Sequence, residues 1–355
     1  MAPKLSSPET QTLPLEPLRF SGSGAEFFRI WIVNLALTVV TLGIYSAWAK
    51  VRKLQYFYRH TQLAGSSFDY LGRPTAILKG RLITFGLLGV GNAVYSISPV
   101  AGVLIWIPIA AVLPWLLVRS LRFRMHNTTW RGLRFHFDGS VGQGYVVFLL
   151  WPLATLVTLG LLWPRAHREL KHYQHGHTRF GRAAFVFNVS PGGFYPAYAR
   201  AALFFVLAPV IAFGILSPGV GMFVGPGDGD STSRVVAALV VVGLTVYACS
   251  LASGPYLASQ IQNLVWSRTE LPPHRFVSTI HFGRLCWIVA SNLVLTIVTL
   301  GLYRPFGMVR MARYRVSCLA LMPGDSLDHF VGDQASDVDA FGEELAESLD
   351  IDIAL

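Results

Sequence analysis

Seven stretches of this chain, at residues 30–49, 82–98, 100–118, 145–164, 201–216, 235–257 and 285–303, are apolar and carry no Asp, Glu, Lys or Arg at their centres. Most are 17–23 residues long, the length of helix that crosses a bilayer core of about 30 Å. They do not alternate with a period of two, as the strands of a membrane barrel must. The pattern predicts an all-α polytopic membrane protein with about seven hydrophobic segments. Composition agrees, with 53% of the 355 residues apolar and 14% charged, against about a quarter charged in soluble domains.

Three of the runs end alike. Thr38-Val39-Val40-Thr41-Leu42-Gly43, Thr155-Leu156-Val157-Thr158-Leu159-Gly160 and Thr296-Ile297-Val298-Thr299-Leu300-Gly301 each lead into a basic, aromatic segment. A tyrosine stands at the same distance past each glycine, as Tyr56, Tyr173 and Tyr314. Asn34 and Asn292 share a position nine residues before the glycine, where the middle copy has Trp151. A second signature, T-x-[LW]-x-G-x-x-F-x-[YF]-x-G, fits Thr61 to Gly72 and Thr128 to Gly139, with weaker copies near Thr178 and Thr269. Alternation such as FDY and FHF, bounded by glycines, predicts short β-hairpins at the headgroup level, where aromatics are favoured. Each of five internal repeats then comprises an apolar run, a basic amphipathic helix and a short extended element.

The first 19 residues, rich in proline, are expected to be a disordered tail, and 20–323 the repeat-containing transmembrane domain. Residues 324–355 form an acidic tail: all 29 Lys and Arg precede residue 324, and ten of the 19 acids follow it. A solubilising disordered end and a segment that folds back on the basic body are both open readings of it. Three cysteines without a close pair argue against a disulfide framework or thiolate metal site.

FSGSGAEFFRIWIVNLALTVVTLGIYSAWAKVR followed by NTTWRGLRFHFDG resembles the YjgN family of bacterial inner-membrane proteins, a domain of unknown function, over roughly residues 20–320. The resemblance implies a multi-pass location in the bacterial inner membrane. It implies no activity and no site residues.

If all seven runs cross, Lys and Arg divide 16 to 13 between the two sides, too even for the positive-inside rule to choose an orientation. If the three T-x-V-T-L-G runs dip in and return, 28 of 29 lie on one side and Arg234 alone opposite. The charge pattern prefers re-entry; run length prefers crossing. Crossing would make the copies inverted repeats, an architecture of many secondary transporters.

The candidate pathway or packing residues are Asn34, Asn292, Thr38, Thr41, Gly43, Thr155, Thr158, Gly160, Thr296, Thr299 and Gly301. Polar groups in a membrane need partners and often mark pathways. Threonine can bond back to the i−4 carbonyl, and a small residue lets helices approach. His167, His172, His175 and His177 are weak metal candidates, since the spacing of the first three drifts around a helix and the matching segment of unit one has Arg52 and His60 but no cluster; a basic interfacial face is the alternative. No nucleotide-binding, serine-hydrolase or zinc-protease motif is present, so no enzyme and no cofactor is expected. The basic aromatic segments point to anionic lipid rather than nucleic acid. The repeats favour a passive transporter or channel for a small solute; the alternative is a structural or lipid-organising protein that binds anionic headgroups.

Overall fold

The computed structural model describes residues 14–204, 207, 210–211 and 231–335. Each T-x-V-T-L-G segment in it is a reversal of the chain. Helix Gly24–Val40 turns at 41–45 and returns as Ser46–Arg59. The apolar stretch Val141–Val157 returns as Trp163–Gly176, and Phe282–Val298 returns as Arg304–Ser317. The backbone chemistry is the same each time. Leu42, Leu159 and Leu300 have φ near +50°, and Gly43, Gly160 and Gly301 have φ of +91 to +93°. The glycine amide bonds the carbonyl five residues back, Gly43 to Thr38, Gly160 to Thr155 and Gly301 to Thr296, at 2.7–2.8 Å. Leu42, Leu159 and Leu300 each bond the carbonyl three back. Together these close the helix end as a Schellman motif.

The second threonine completes the turn. Thr41 Oγ1 donates to Leu37 O at 2.7 Å and accepts from Tyr45 N–H at 2.9 Å. Thr299 does the same with Leu295 O and Tyr303 N–H, and Thr158 with Ala154 O and Leu162 N–H. A helix that stops in lipid leaves carbonyls and amides without water, at several kcal/mol each. This motif satisfies them within the turn.

At the other end the two legs are tied by the recurring tyrosine. Tyr56 OH donates to Ser23 O at 2.8 Å, Tyr173 OH to Ser140 O at 2.9 Å and Tyr314 OH to His281 O at 3.1 Å. Ser23, Ser140 and His281 are the residues that cap the inbound helices. All three tyrosines are buried. Burial pushes Tyr56 and Tyr173 up to about 12, so the phenols keep the proton they donate.

Each return leg runs into a strand, and the strands form two antiparallel sheets. One has the order β2 (Arg19–Phe20), β3 (Thr61–Leu63), β4 (Ser66–Tyr70), β5 (Thr128–Trp130), β6 (Leu133–Phe137), β7 (Thr178–Phe180), β8 (Ala183–Ala184). The other runs β1 (Glu16–Pro17), β12 (Leu319–Met322), β11 (His274–Ser278), β10 (Thr269–Leu271), β9 (Val186–Phe187). Segments 16–20 and 183–187 belong to both. Leu18 N–H bonds Leu319 O and Phe185 N–H bonds Thr178 O across the two junctions. Chain continuity through 16–20 and 183–187 therefore joins the two sheets into a ring. Threonine links helix to strand four times. Thr61, Thr128, Thr178 and Thr269 each donate to the carbonyl four residues back at 2.7–2.9 Å. At the tips of the first two hairpins both central residues have positive φ, Ala64-Gly65 and Arg131-Gly132, the turn that matches strand twist.

The third residue of each strand-opening triplet points into the ring. Leu63, Trp130, Phe180, Leu271 and Leu321 share one buried cluster with Leu18, Leu133, Leu319 and Phe330. Phe330 lies on the short helix Leu327–Ala335, at the start of the segment read as an acidic tail. Asp328 pairs with Arg131, and Gln334 Oε1 accepts from the amides of Arg182 and Ala183. The ring is filled and capped from within the chain.

These sheets correct the all-α reading, and they also correct the number of spans. Among the described residues, only Pro74–Ile97 and Pro99–His126 are long and apolar enough to cross a bilayer. The physical reason is that run length measures apolarity along the chain and not its direction. Residues 30–49, 145–164 and 285–303 each contain a reversal, so their 17-residue inbound legs rise only about 25 Å. Pro99–His126, with 28 residues, rises about 42 Å. Residues 235–257 lie in helix Ser231–Ser267. Most of 201–216, the glycine-rich hinge after it, and residues 1–13 and 336–355 lie outside the described residues.

Candidate functional site

The three reversals expose the same apolar residues. Leu42, Leu159 and Leu300 are each 94% exposed, and around them Val40, Val157, Val298, Ile44, Leu161 and Leu302 are exposed as well. A Cβ built on Gly43, Gly160 or Gly301 meets no atom within 4 Å. These glycines are therefore not a packing seam; their requirement is the left-handed backbone. Leucine in a left-handed conformation is uncommon and costs roughly 1–2 kcal/mol. The same strained leucine stands at all three tips, each with its side chain in the open.

The remaining sequence candidates serve the hairpins. Thr38, Thr155 and Thr296 donate back to the carbonyls of Asn34, Trp151 and Asn292 at 2.6–2.8 Å. Asn292 Nδ2 donates to Gly307 O at 3.1 Å, and its Oδ1 receives Arg310 Nη1 at 3.4 Å. Asn34 is buried on the inbound helix of the first hairpin, with its Oδ1 unbonded. The histidines have separate partners. His167 Nδ1 meets Tyr198 OH at 2.8 Å, His177 Nδ1 meets Tyr173 O at 3.1 Å, and His172 and His175 both lie against the Phe187 ring. Among the described residues no three His, Cys, Asp or Glu side chains form a metal-sized group.

The structure adds a site that the sequence did not single out. Beneath the strand ring the five helix ends that lead into strands surround an open chamber of about 670 Å³. One lining residue from each is Tyr58, Arg124, Lys171, Gln262 and Arg315, with Trp266 and His175 beside them. Neither Asn34 nor Asn292 is among the lining residues, and no Asp or Glu is either. Four carboxylates pair elsewhere: Asp69 with Arg59, Asp138 with Arg179, Glu169 with Arg165, Glu270 with Arg275. Burial, then the charge of Arg124, holds Lys171 below its ordinary range. The register of the strands carried the missed signal. Arg124, Gln174, Val265 and Arg315 each stand four residues before a ring strand, and all line the chamber.

Burial, then Lys171 and Arg124, pushes His175 from its ordinary 6.5 down to about 4. The unfolded chain takes up this proton first as pH falls, so His175 contributes stability that is complete above about 6.5 and is lost toward pH 4. The thermal midpoint in detergent is expected to fall across this window. His175→Gln should flatten part of that slope, and an unchanged slope in the variant would refute the assignment.

Comparison with known proteins bears on the whole chain. A family model described as bacterial protein of unknown function (DUF898) matches residues 15–348. The chain belongs to the DUF898 family. It is 27% identical over 150 residues to inner membrane protein YjgN of Escherichia coli O157:H7, covering 42% of this chain and 37% of that relative. With inner membrane protein YjgN of Salmonella typhimurium (strain LT2) the identity is 29% over 143 residues, 40% of this chain and 36% of the relative. The chain thus matches little more than a third of the length of these relatives. No solved structure matches. The resemblance read from the first hairpin and the Thr128 strand pair is a family relationship, and this DUF898 chain is an inner-membrane protein of unknown function.

Proposed function

We propose that this DUF898 protein is a multi-pass structural protein of the inner membrane that organises anionic lipid around five repeated units. The observation that carries this reading is the set of three exposed leucines held in left-handed conformations. Glycine would occupy that position without strain; leucine is worth its strain only where the tip is buried in something apolar, and a lipid leaflet is apolar. The legs rise about 25 Å from a shared base, so the tips end inside the bilayer and turn back. Pro74–Ile97 and Pro99–His126 cross. With the three T-x-V-T-L-G runs turned back, the charge pattern puts at least 28 of 29 Lys and Arg on one side, which the positive-inside rule makes the cytoplasm. Arg29, Arg52 and Arg59 line a groove of about 510 Å³ at the base of the first hairpin, where each basic residue adds about 1 kcal/mol of attraction to anionic headgroups.

Solute transport is weaker on this geometry, because the two asparagines that motivated it are absent from the chamber lining. The test uses vesicles of phosphatidylglycerol or phosphatidylcholine and single cysteines in a background lacking Cys249, Cys286 and Cys318. Positions 53, 168 and 275 are expected to react with an impermeant thiol reagent from one face, and position 42 from neither. Phosphatidylglycerol should be retained in a salt-sensitive way without solute leak. Reaction of 53 and 168 from opposite faces, or a leak that disappears in Asn34→Leu/Asn292→Leu, would overturn the reading.

A further inference from the structure

We infer that the central chamber is a stoichiometric binding site for a phosphate-class anion, held by Arg124, Lys171 and Arg315. The site is distinct from the lipid contacts of the outer collar. Basic residues that serve a membrane surface point outward, toward headgroups at the perimeter. These three line one chamber from three different helices, and it is large enough for a phosphate group and a small substituent. Arg124 and Lys171 repel one another, and no carboxylate among the lining residues offsets the three charges. Lys50 stands close enough to Arg124 for the two charges to be felt, which adds to the same field.

The neutral lining fits the same ligand. Gln174 takes the Lys171 ammonium at 3.5 Å and so steers it within the chamber. Gln262 and Tyr58 add donors on the opposite helix ends. Guanidinium groups bind phosphate through paired N–H donors, and an ammonium adds a point charge. Trp266 and Phe185 close the chamber toward the ring with apolar surface, so a charged group placed there is screened less by water than one at the collar.

Two sources share this chemistry, a free phosphate compound and the headgroup of a phospholipid. Isothermal titration calorimetry on the full chain in neutral maltoside separates them, with sodium phosphate and dihexanoyl phosphatidylglycerol as probes and sodium chloride as the control. Saturable binding of one probe molecule per chain is expected for at least one of the two. Arg124→Gln, Lys171→Met and Arg315→Gln should each weaken it tenfold or more, and Lys171→Arg should retain it. Arg179→Gln, paired with Asp138 outside the chamber, should leave it unchanged. Saturation by phosphate alone assigns a free anion, and saturation by the lipid alone assigns a headgroup; either supports the chamber. A structural role for Lys171 is separated by the unliganded protein. Removing one of several crowded cations should raise the thermal midpoint of Lys171→Met, whereas a structural lysine would lower it. Absence of saturable binding of both probes, or binding that survives the triple substitution, would overturn the inference. Collar lipid retention would be untouched by that result.

Discussion

Leu42→Arg, Leu159→Arg and Leu300→Arg combined in one chain are expected to remove most of the protein from the membrane fraction. In the folded chain these side chains touch little, since each is 94% exposed. If the tips stood in water, arginine would be neutral or favourable there. Inside a leaflet each arginine costs about 2.5–3.5 kcal/mol on insertion scales, and three tips act together because one fold holds them. The loss should exceed the whole net stability of many domains, which is about 5–15 kcal/mol, only when all three are changed. Single variants should show partial loss. The control is Leu71→Arg, another exposed leucine, placed at the strand ring and away from the tips. Membrane-fraction yield by immunoblot checks this. A triple variant that accumulates like the parent would remove the hairpins from the bilayer and with them the basis of the proposed function.

Phe180→Ala should be the most damaging single truncation in the strand ring. Phe180 is 1% exposed and lies against Trp130, Phe135 and Phe330, at centroid distances of 5.6, 4.9 and 6.3 Å. Removing a buried phenyl costs about 3–5 kcal/mol in lost transfer energy and residual cavity. The loss here also loosens the helix that carries Phe330, because Phe180 is part of its floor. Thermal unfolding in detergent, followed by circular dichroism, should show a clear drop in midpoint. Leu159→Ala, at an exposed tip, should show none. Equal midpoints for the two variants would mean that the ring is not the stability core.

Phe180 also shows what kind of information was hidden. The sequence marks it as the third residue of a threonine-led triplet, and that much predicts a strand. Nothing local says that its partner strand is β6, or that residues 16–20 close the circle against 319–322 and 61–63. Those pairings join residues far apart in sequence. A short strand of three to five residues carries too little pattern to name its neighbour. The chamber was hidden for the same reason. Arg124, Lys171 and Arg315 sit in segments that read as basic faces. Which face looks inward depends on the ring that orients the five helix ends.

By itself the sequence determined that the chain belongs in a membrane, because apolar runs without charge have no other stable solvent. It determined the local chemistry of the hairpins too. Thr-Leu-Gly after an apolar helix contains every donor and acceptor needed to close that helix, and Tyr56, Tyr173 and Tyr314 stand where a returning leg can reach its own start. Only the tertiary structure decided that these runs turn back rather than cross. Hydrophobicity adds along the chain regardless of direction, whereas a reversal is a choice of two dihedral pairs, at Leu42 and Gly43 and their counterparts. The tyrosine at the base and the packing of both legs against neighbouring units make that choice stable.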